Sequence, residues 1–322
     1  MPPSLTMRAV LLLTRVTGGK PLNELPVPEA RKAASGSNRT QIPKRRKSMP
    51  LAGVTNRIIP GPVGDIPIRL YAPQGQGPFP LVIFFHGGGF VVGDLDTADE
   101  ICRTLCGVAG CSVLSVDYRL APEHKFPAAP DDCLAATRWA AAHAAEFNAD
   151  PARLVVAGDS AGGNLAAVTA LRVRDEGGPA LCGQLLIYPV TDYHTPPTPS
   201  YLANAHGYLL TREMMIWFWA HYLNCAGEAG HPHAAPLRAP DLRGLPPALV
   251  ITAEYDPLRD EGERYAARLQ QAGVPTVQAR YAGMIHGFFM LGDLFGESRR
   301  AVEEANVWLR QVTGGGRAGG NG

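Results

Sequence analysis

One stretch constrains this chain more than any other: Leu154-Val155-Val156-Ala157-Gly158-Asp159-Ser160-Ala161-Gly162-Gly163-Asn164. An apolar run of strand-forming residues stops at a glycine, a serine follows among small residues, and an alanine-rich helical pattern starts at once. A strand that runs straight into a helix leaves room only for a very tight turn. The serine backbone is then strained, and Gly158 and Gly162, two places to either side, must be small. The turn holds the Ser160 hydroxyl clear of the sheet, at the positive end of the following helix. Whatever else the chain does, it must build a sheet with helices packed on it.

The rest of the sequence agrees. Leu81-Val82-Ile83-Phe84-Phe85 is continuously apolar, as a strand buried on both faces should be. Further apolar runs lie at 112–116, 154–157, 184–187, 248–252 and 277–281, with helical patterns between or after them at 97–106, 129–147, 162–174, 260–272 and 298–312. This alternation predicts an α/β fold with a mostly parallel sheet covered on both faces. Residues 56–59 and 66–71 flank the turn Pro60-Gly61-Pro62-Val63-Gly64-Asp65 and suggest an antiparallel hairpin.

The interval 191–241 breaks the pattern. It opens with a loop rich in proline (Pro196, Pro197, Pro199) and continues into Met214-Met215-Ile216-Trp217-Phe218-Trp219. Such a stripe suits a helix core and also an adaptable apolar pocket wall. With the N-terminal appendage it is expected to form a helical cap. The predicted division is therefore 1–50 and 191–241 as cap, 51–190 and 242–312 as main domain, and 313–322 as a disordered glycine-rich tail. Within the appendage, 11–16 and 29–34 read as short helices, the second opened by Pro26 and Pro28. Lys44-Arg45-Arg46-Lys47 reads as a solvated linker.

Composition narrows the class. The 322 residues are 46% hydrophobic and 18% charged, ordinary for a globular chain, and 30 basic against 29 acidic residues leave a net charge of +1. That balance gives no reason to expect nucleic acid as a partner. No apolar stretch approaches a membrane span, and the start has too short an apolar core for a secretory signal, so a cytoplasmic location is expected. Cys102, Cys106, Cys111, Cys133, Cys182 and Cys225 form no zinc-like spacing; they read as small buried thiols, and no metal is expected.

A serine hydroxyl becomes a nucleophile only when a base takes its proton, and that base needs a carboxylate to hold its tautomer. His286, in Gly283-Met284-Ile285-His286-Gly287-Phe288, and Asp256, in Glu254-Tyr255-Asp256-Pro257, both follow strand-like runs, where sites in parallel sheets gather. Glu254, Asp260 and Asp159 compete for the acid's role, though Asp260 is expected to cap the helix it opens. His194, His206, His221, His231 and His233 fall in the cap interval and are read as surface or capping residues. His86-Gly87-Gly88-Gly89 follows the buried strand at 81–85, and its successive glycines let backbone N–H groups approach a reacting oxygen.

Five motifs then occur in order: His86-Gly87-Gly88-Gly89-Phe90, Asp117-Tyr118-Arg119-Leu120-Ala121-Pro122-Glu123, Gly158-Asp159-Ser160-Ala161-Gly162-Gly163-Asn164, Asp256-Pro257-Leu258-Arg259-Asp260 and Gly283-Met284-Ile285-His286-Gly287-Phe288. Together they resemble the microbial carboxylesterases of the hormone-sensitive lipase family, bacterial family IV, from about residue 21 to residue 308. The resemblance implies an α/β-hydrolase fold with a helical cap and a serine carboxylesterase acting on short to medium acyl esters. By it Ser160, Asp256 and His286 are the triad, Gly88, Gly89 and Ala161 the oxyanion donors, and 117–123 a supporting loop. His86, Gly87, Gly158 and Gly162 support those motifs. Met215, Trp217 and Trp219 are candidate pocket linings.

The expected partner is a small-molecule ester, with no cofactor. A homodimer through an edge strand at 277–281 is a further expectation. The same machinery would also serve a lactone, an aryl amide or an acetylated substrate. Plant gibberellin receptors resemble the family but have lost the catalytic histidine, whereas this chain keeps His286.

Overall fold

Apolar side chains on consecutive strand residues point to opposite faces, so a continuously apolar strand needs a hydrophobic layer on each side. The computed structural model satisfies this with an eight-stranded sheet; it describes residues 7–8, 11–12, 19–35 and 50–314, the side chains of 293 and 294 aside. The basic run at 44–47, most of the expected helix at 11–16 and the glycine tail from 315 onward lie outside the described residues.

The strands are β1 (Gly53–Gly61), β2 (Gly64–Ala72), β3 (Phe79–Phe85), β4 (Ser112–Val116), β5 (Ala149–Asp159), β6 (Leu181–Ile187), β7 (Ala248–Tyr255) and β8 (Thr276–Ile285). They lie in the order β1-β2-β4-β3-β5-β6-β7-β8. Strand β2 is antiparallel to both its neighbours, and every other pairing is parallel. The β1–β2 hairpin closes with Gly61 opposite Gly64.

The helices are α1 (Val27–Ala34), α2 (Asp99–Ala109), α3 (Ala128–Ala142), α4 (Ala161–Glu176), α5 (Pro199–Ala203), α6 (Arg212–Tyr222), α7 (Arg259–Gln271) and α8 (Gly296–Val312). Alternate strand residues sort the core into two layers. Val82, Phe84, Val155, Ala157, Leu249 and Ile251 share a cluster with Cys102 and Leu105 of α2 and Trp308 and Leu309 of α8. Leu81, Ile83, Phe85, Val156 and Val250 share the other with Cys133 of α3, Leu165 of α4 and Tyr265 of α7. Burying each large apolar chain contributes about 1.5–3 kcal/mol.

The pattern at 129–147 divides: α3 stops at Ala142, a short 3₁₀ turn spans Ala144–Phe147, and Asn148 turns the chain with φ 55°. Strand β5 starts earlier than its apolar run, because Ala149 pairs with Phe79 at the margin of the sheet. Thr313 is buried, and its Oγ1 donates to Leu309 O at 2.7 Å, which finishes the last turn of α8.

The interval 191–241 contains no strand. Its helices start where the sequence supplies caps: Thr198 Oγ1 accepts the Tyr201 N–H before α5, and Thr211 Oγ1 the Met214 N–H before α6. Helix α1 opens on Pro26 with Pro28 in its first turn, since proline needs no intrahelical donor there.

Candidate active site

Strand β5 ends at Asp159 and α4 begins at Ala161, so Ser160 alone makes the turn. Its backbone is at φ 56°, ψ −118°, a strained conformation costing about 1–3 kcal/mol. The surroundings enforce it. Ser160 N–H donates to Ile187 O at 2.9 Å, and Ser160 O accepts from Asn164 N and Val190 N, each at 3.1 Å. A Cβ on Gly158 would lie 2.2 Å from Gly162 O, and one on Gly162 would lie 1.9 Å from Phe85 O. Only glycine fits either place.

His286 follows the last residue of β8, and Asp256 follows the last of β7. His286 Nε2 lies 3.0 Å from Ser160 Oγ, and His286 Nδ1 lies 2.7 Å from Asp256 Oδ2. With a carboxylate on Nδ1, that nitrogen carries the proton and Nε2 is left to accept one. Asp256 is fully buried, and its Oδ1 accepts the Leu258 N–H at 2.9 Å. Such a chain can move a proton from a hydroxyl and stabilise the imidazolium that results.

The competing carboxylates are occupied elsewhere. Asp159 Oδ1 accepts the Gly87 N–H at 2.8 Å, and Glu254 Oε2 accepts the Gly283 N–H at 2.7 Å. Asp260 corrects an expectation. Leu258 holds the cap position of α7, whereas Asp260 Oδ2 accepts the Ser200 N–H at 2.8 Å, across to α5. Asp256 serves the start of the helix instead, taking the Leu258 N–H on Oδ1 and the Arg259 N–H on its carbonyl, which frees the Asp260 side chain for a tertiary contact. Among the other histidines, His194 is buried beside Tyr193, and His221 Nδ1 donates to Trp217 O.

The glycine loop after β3 has φ 123° at Gly88 and 60° at Gly89. Gly88 O accepts from Val91 N at 3.1 Å and Val92 N at 3.0 Å, which fixes the turn. Ala161 N–H, at the start of α4, is one of the donors that a helix leaves without an internal partner. His86 is buried beneath the loop and stacks on Tyr118 with ring centroids 4.3 Å apart. Its Nδ1 donates to Gly87 O at 2.8 Å, and Tyr118 O–H donates to His86 O at 2.7 Å. Burial pushes the His86 pKa down, which keeps the ring neutral in that role. The supporting loop is itself anchored: Arg119 forms a two-pronged ion pair with buried Asp132.

Arg31, on α1, joins the site without any signal in the sequence. It donates to Val91 O and Ala121 O, both at 2.9 Å, and pairs with Glu123. One guanidinium thus ties the N-terminal segment to the glycine loop and to the supporting loop. Nothing in the sequence around Arg31 marks this, because its partners are 60 to 92 residues away.

Above Ser160 and His286 lies a cavity of about 670 Å³. Its walls include Leu22 and Ala34 from the N-terminal segment, Tyr208, Leu209 and Phe218 from the 191–241 interval, and Met290. The three expected pocket residues are not among the lining. Met214 and Phe218, four apart on α6, face the cavity, while Met215 and Trp219 are 2% and 1% exposed in the core and Trp217 packs on Phe218 and His221. Residues four apart share a face, so Met214 and Phe218 lie together, as do Met215 and Trp219, and packing decides which pair meets the cavity. Among the described residues the six cysteines are free thiols, and Cys225 is exposed, unlike the buried thiols expected. Also among them, no three histidine, cysteine or acidic side chains form a metal-binding group.

Known proteins resemble this chain over most of its length. A family described as alpha/beta hydrolase fold matches residues 82–290. The carboxylic ester hydrolase LipN of Mycobacterium tuberculosis is 49% identical over 264 residues, covering 80% of this chain and 70% of its own. The arylesterase of Saccharolobus solfataricus is 42% identical over 225 residues, covering 70% of this chain and 73% of its own. The solved structure of the hyperthermophilic esterase of the archaeon Pyrobaculum calidifontis superimposes with a TM-score of 0.91 at 41% identity, covering 97% of this chain and 99% of its own.

Proposed function

The chain belongs to the alpha/beta hydrolase family and is a carboxylic ester hydrolase, and we propose that Ser160, His286 and Asp256 are its catalytic triad. The observation that carries the assignment is the unbroken path Ser160 Oγ–His286–Asp256, at 3.0 and 2.7 Å, beneath the cavity. His286 Nε2 takes the Ser160 proton as Oγ attacks the ester carbonyl. Charge builds on the carbonyl oxygen, and the N–H groups of Gly88, Gly89 and Ala161 are the donors we assign to it. His286 then protonates the leaving alcohol, and an acyl-Ser160 ester remains. Water, deprotonated by His286, attacks that ester and releases the acid. Each oxyanion donor is worth about 3–4 kcal/mol of transition-state stabilisation.

The substrate class we propose is esters of short to medium acyl chains. The cavity volume supports this, as does its closure by Phe218, Met214 and Leu209. The segments 1–50 and 191–241 act in this reading as two parts of one cap, since both supply cavity walls. No described helix is long and apolar enough to cross a membrane. Free thiols favour a reducing compartment, in keeping with a cytoplasmic location. The unpaired outer edge of β8, with Val277 exposed, supports pairing of two copies.

The test is labelling with a fluorophosphonate and mass mapping of the adduct. Native protein should carry the label on Ser160, while heat-unfolded protein and Ser160→Ala should carry none and the variant should lose ester hydrolysis. Turnover unchanged in Ser160→Ala would end the assignment.

A further inference from the structure

Helix α5 belongs to the 191–241 interval, yet a side chain within it and the one that ends it hold the loop that carries Asp256. Ser200 is fully buried; its O–H donates to Pro257 O at 2.6 Å, and its Oγ accepts the Asp260 N–H at 3.2 Å. Its backbone N–H donates to Asp260 Oδ2 at 2.8 Å. Asn204, one residue past α5 and 4% exposed, donates from Nδ2 to Asp256 O at 3.2 Å. The Asp256 carboxylate has one backbone donor, Leu258 N–H on Oδ1, so the placing of Oδ2 against His286 depends on where the loop backbone sits. Pro257 O takes the Ser200 hydroxyl, and Asp256 O takes both Asn204 Nδ2 and the Arg259 N–H, so removing either side chain leaves a buried carbonyl with a donor fewer and the loop backbone less firmly placed.

We infer that Ser200 and Asn204 are positioning residues for Asp256. They clamp the acid's loop from above, so that Oδ2 stays on His286 Nδ1 through the reaction. Residues 207–211, which line the cavity, begin four residues after α5 ends, so one short helix is joined closely to both the acid's loop and a cavity wall. The inference rests on Asp256 being the acid of the triad.

The experiment compares Ser200→Ala and Asn204→Ala with Ser200→Thr, which keeps the hydroxyl, and with Leu202→Ala on the exposed side of α5. Asp256→Asn is the benchmark. For each, kcat and KM are measured per titrated active site, along with thermal stability and the low-field proton resonance of the His286–Asp256 hydrogen bond. Ser200→Ala and Asn204→Ala should lower kcat about 10- to 100-fold with KM within about twofold, and should shift or abolish the resonance. Ser200→Thr and Leu202→Ala should leave kcat and the resonance near those of the native chain. If Ser200→Ala fails to fold, Asn204→Ala supplies the same readouts, because Asp256 O keeps the Arg259 N–H. An unchanged kcat and resonance in the two alanine variants, even with lowered stability, would overturn the clamp. A fully active Asp256→Asn would instead overturn the triad assignment and the clamp with it.

Discussion

At the scale of single residues, the site is built on groups held where they are costly. Ser160 keeps a strained backbone because Gly158, Gly162 and the Phe85 carbonyl leave the turn no other path. Asp117, one residue beyond β4, shows a cost that can be measured. Burial pushes its carboxyl up to about 6 from 3.8; Asp94 and Asp96 add to the effect, and Arg69 opposes it. Between those values the folded chain holds a proton that the unfolded chain has released. Stability therefore falls as pH rises through that window, and above it the full penalty of a crowded, part-buried anion is present. Asp117→Asn should raise the melting temperature by about 2–4 °C at about pH 8, and the gain should vanish below about pH 4. Thermal melts of the two proteins across pH check this, and a gain that did not depend on pH would contradict it.

At the scale of elements, helix α6 separates two tasks by phase. Met214 and Phe218 close the cavity, whereas Met215 and Trp219 bind the helix to the core. Phe218→Ala should extend the cavity and shift the ratio of kcat/KM for longer over shorter acyl esters by about tenfold towards the longer. Met215→Ala should cost about 2–5 kcal/mol of stability and leave that ratio unchanged. A panel of nitrophenyl esters, read beside denaturant unfolding, distinguishes the two faces. Equal effects of both substitutions on chain length would show that the phase is misassigned.

At the scale of the whole molecule, the N-terminal segment is fastened to the glycine loop and the supporting loop by contacts distant in sequence. Arg31 joins α1 to the glycine loop at Val91 and to the supporting loop at Ala121 and Glu123, and Leu22 and Ala34 complete the cavity wall. Arg31→Met should lower kcat/KM about tenfold through a loosened glycine loop, whose N–H groups are the proposed oxyanion donors, while the far-UV signal of the sheet and helices is preserved. Removal of residues 1–35 should do the same and also abolish chain-length selectivity. Steady-state kinetics with circular dichroism decide it; undiminished activity in both would separate this segment from catalysis.

The sheet order places Ser160, Asp256 and His286 at the ends of three different strands, β5, β7 and β8, and their meeting there was legible in advance. Each stands in a local pattern of apolar strand followed by a loop, and parallel strands bring those loops to one edge. The eight strands could be read for the same reason, since hydrophobic period and length are local properties. The faces of α6, the role of Asp260 and the reach of Arg31 could not. Which side of an apolar helix meets a cavity depends on what packs against it, and both Met214 and Met215 are hydrophobic. Asp260 looked like a cap because carboxylates near a helix start usually are, but the Ser200 N–H brought by α5 takes it instead. Local spacing and chemistry along the chain were enough for the α/β class, for the tight turn at Ser160 and for the Ser160, Asp256 and His286 set that the fold brings together. Which side chains wall the cavity, and which distant ones hold the Asp256 loop and the glycine loop, emerges from packing alone, because a contact across the fold leaves no periodicity in the chain.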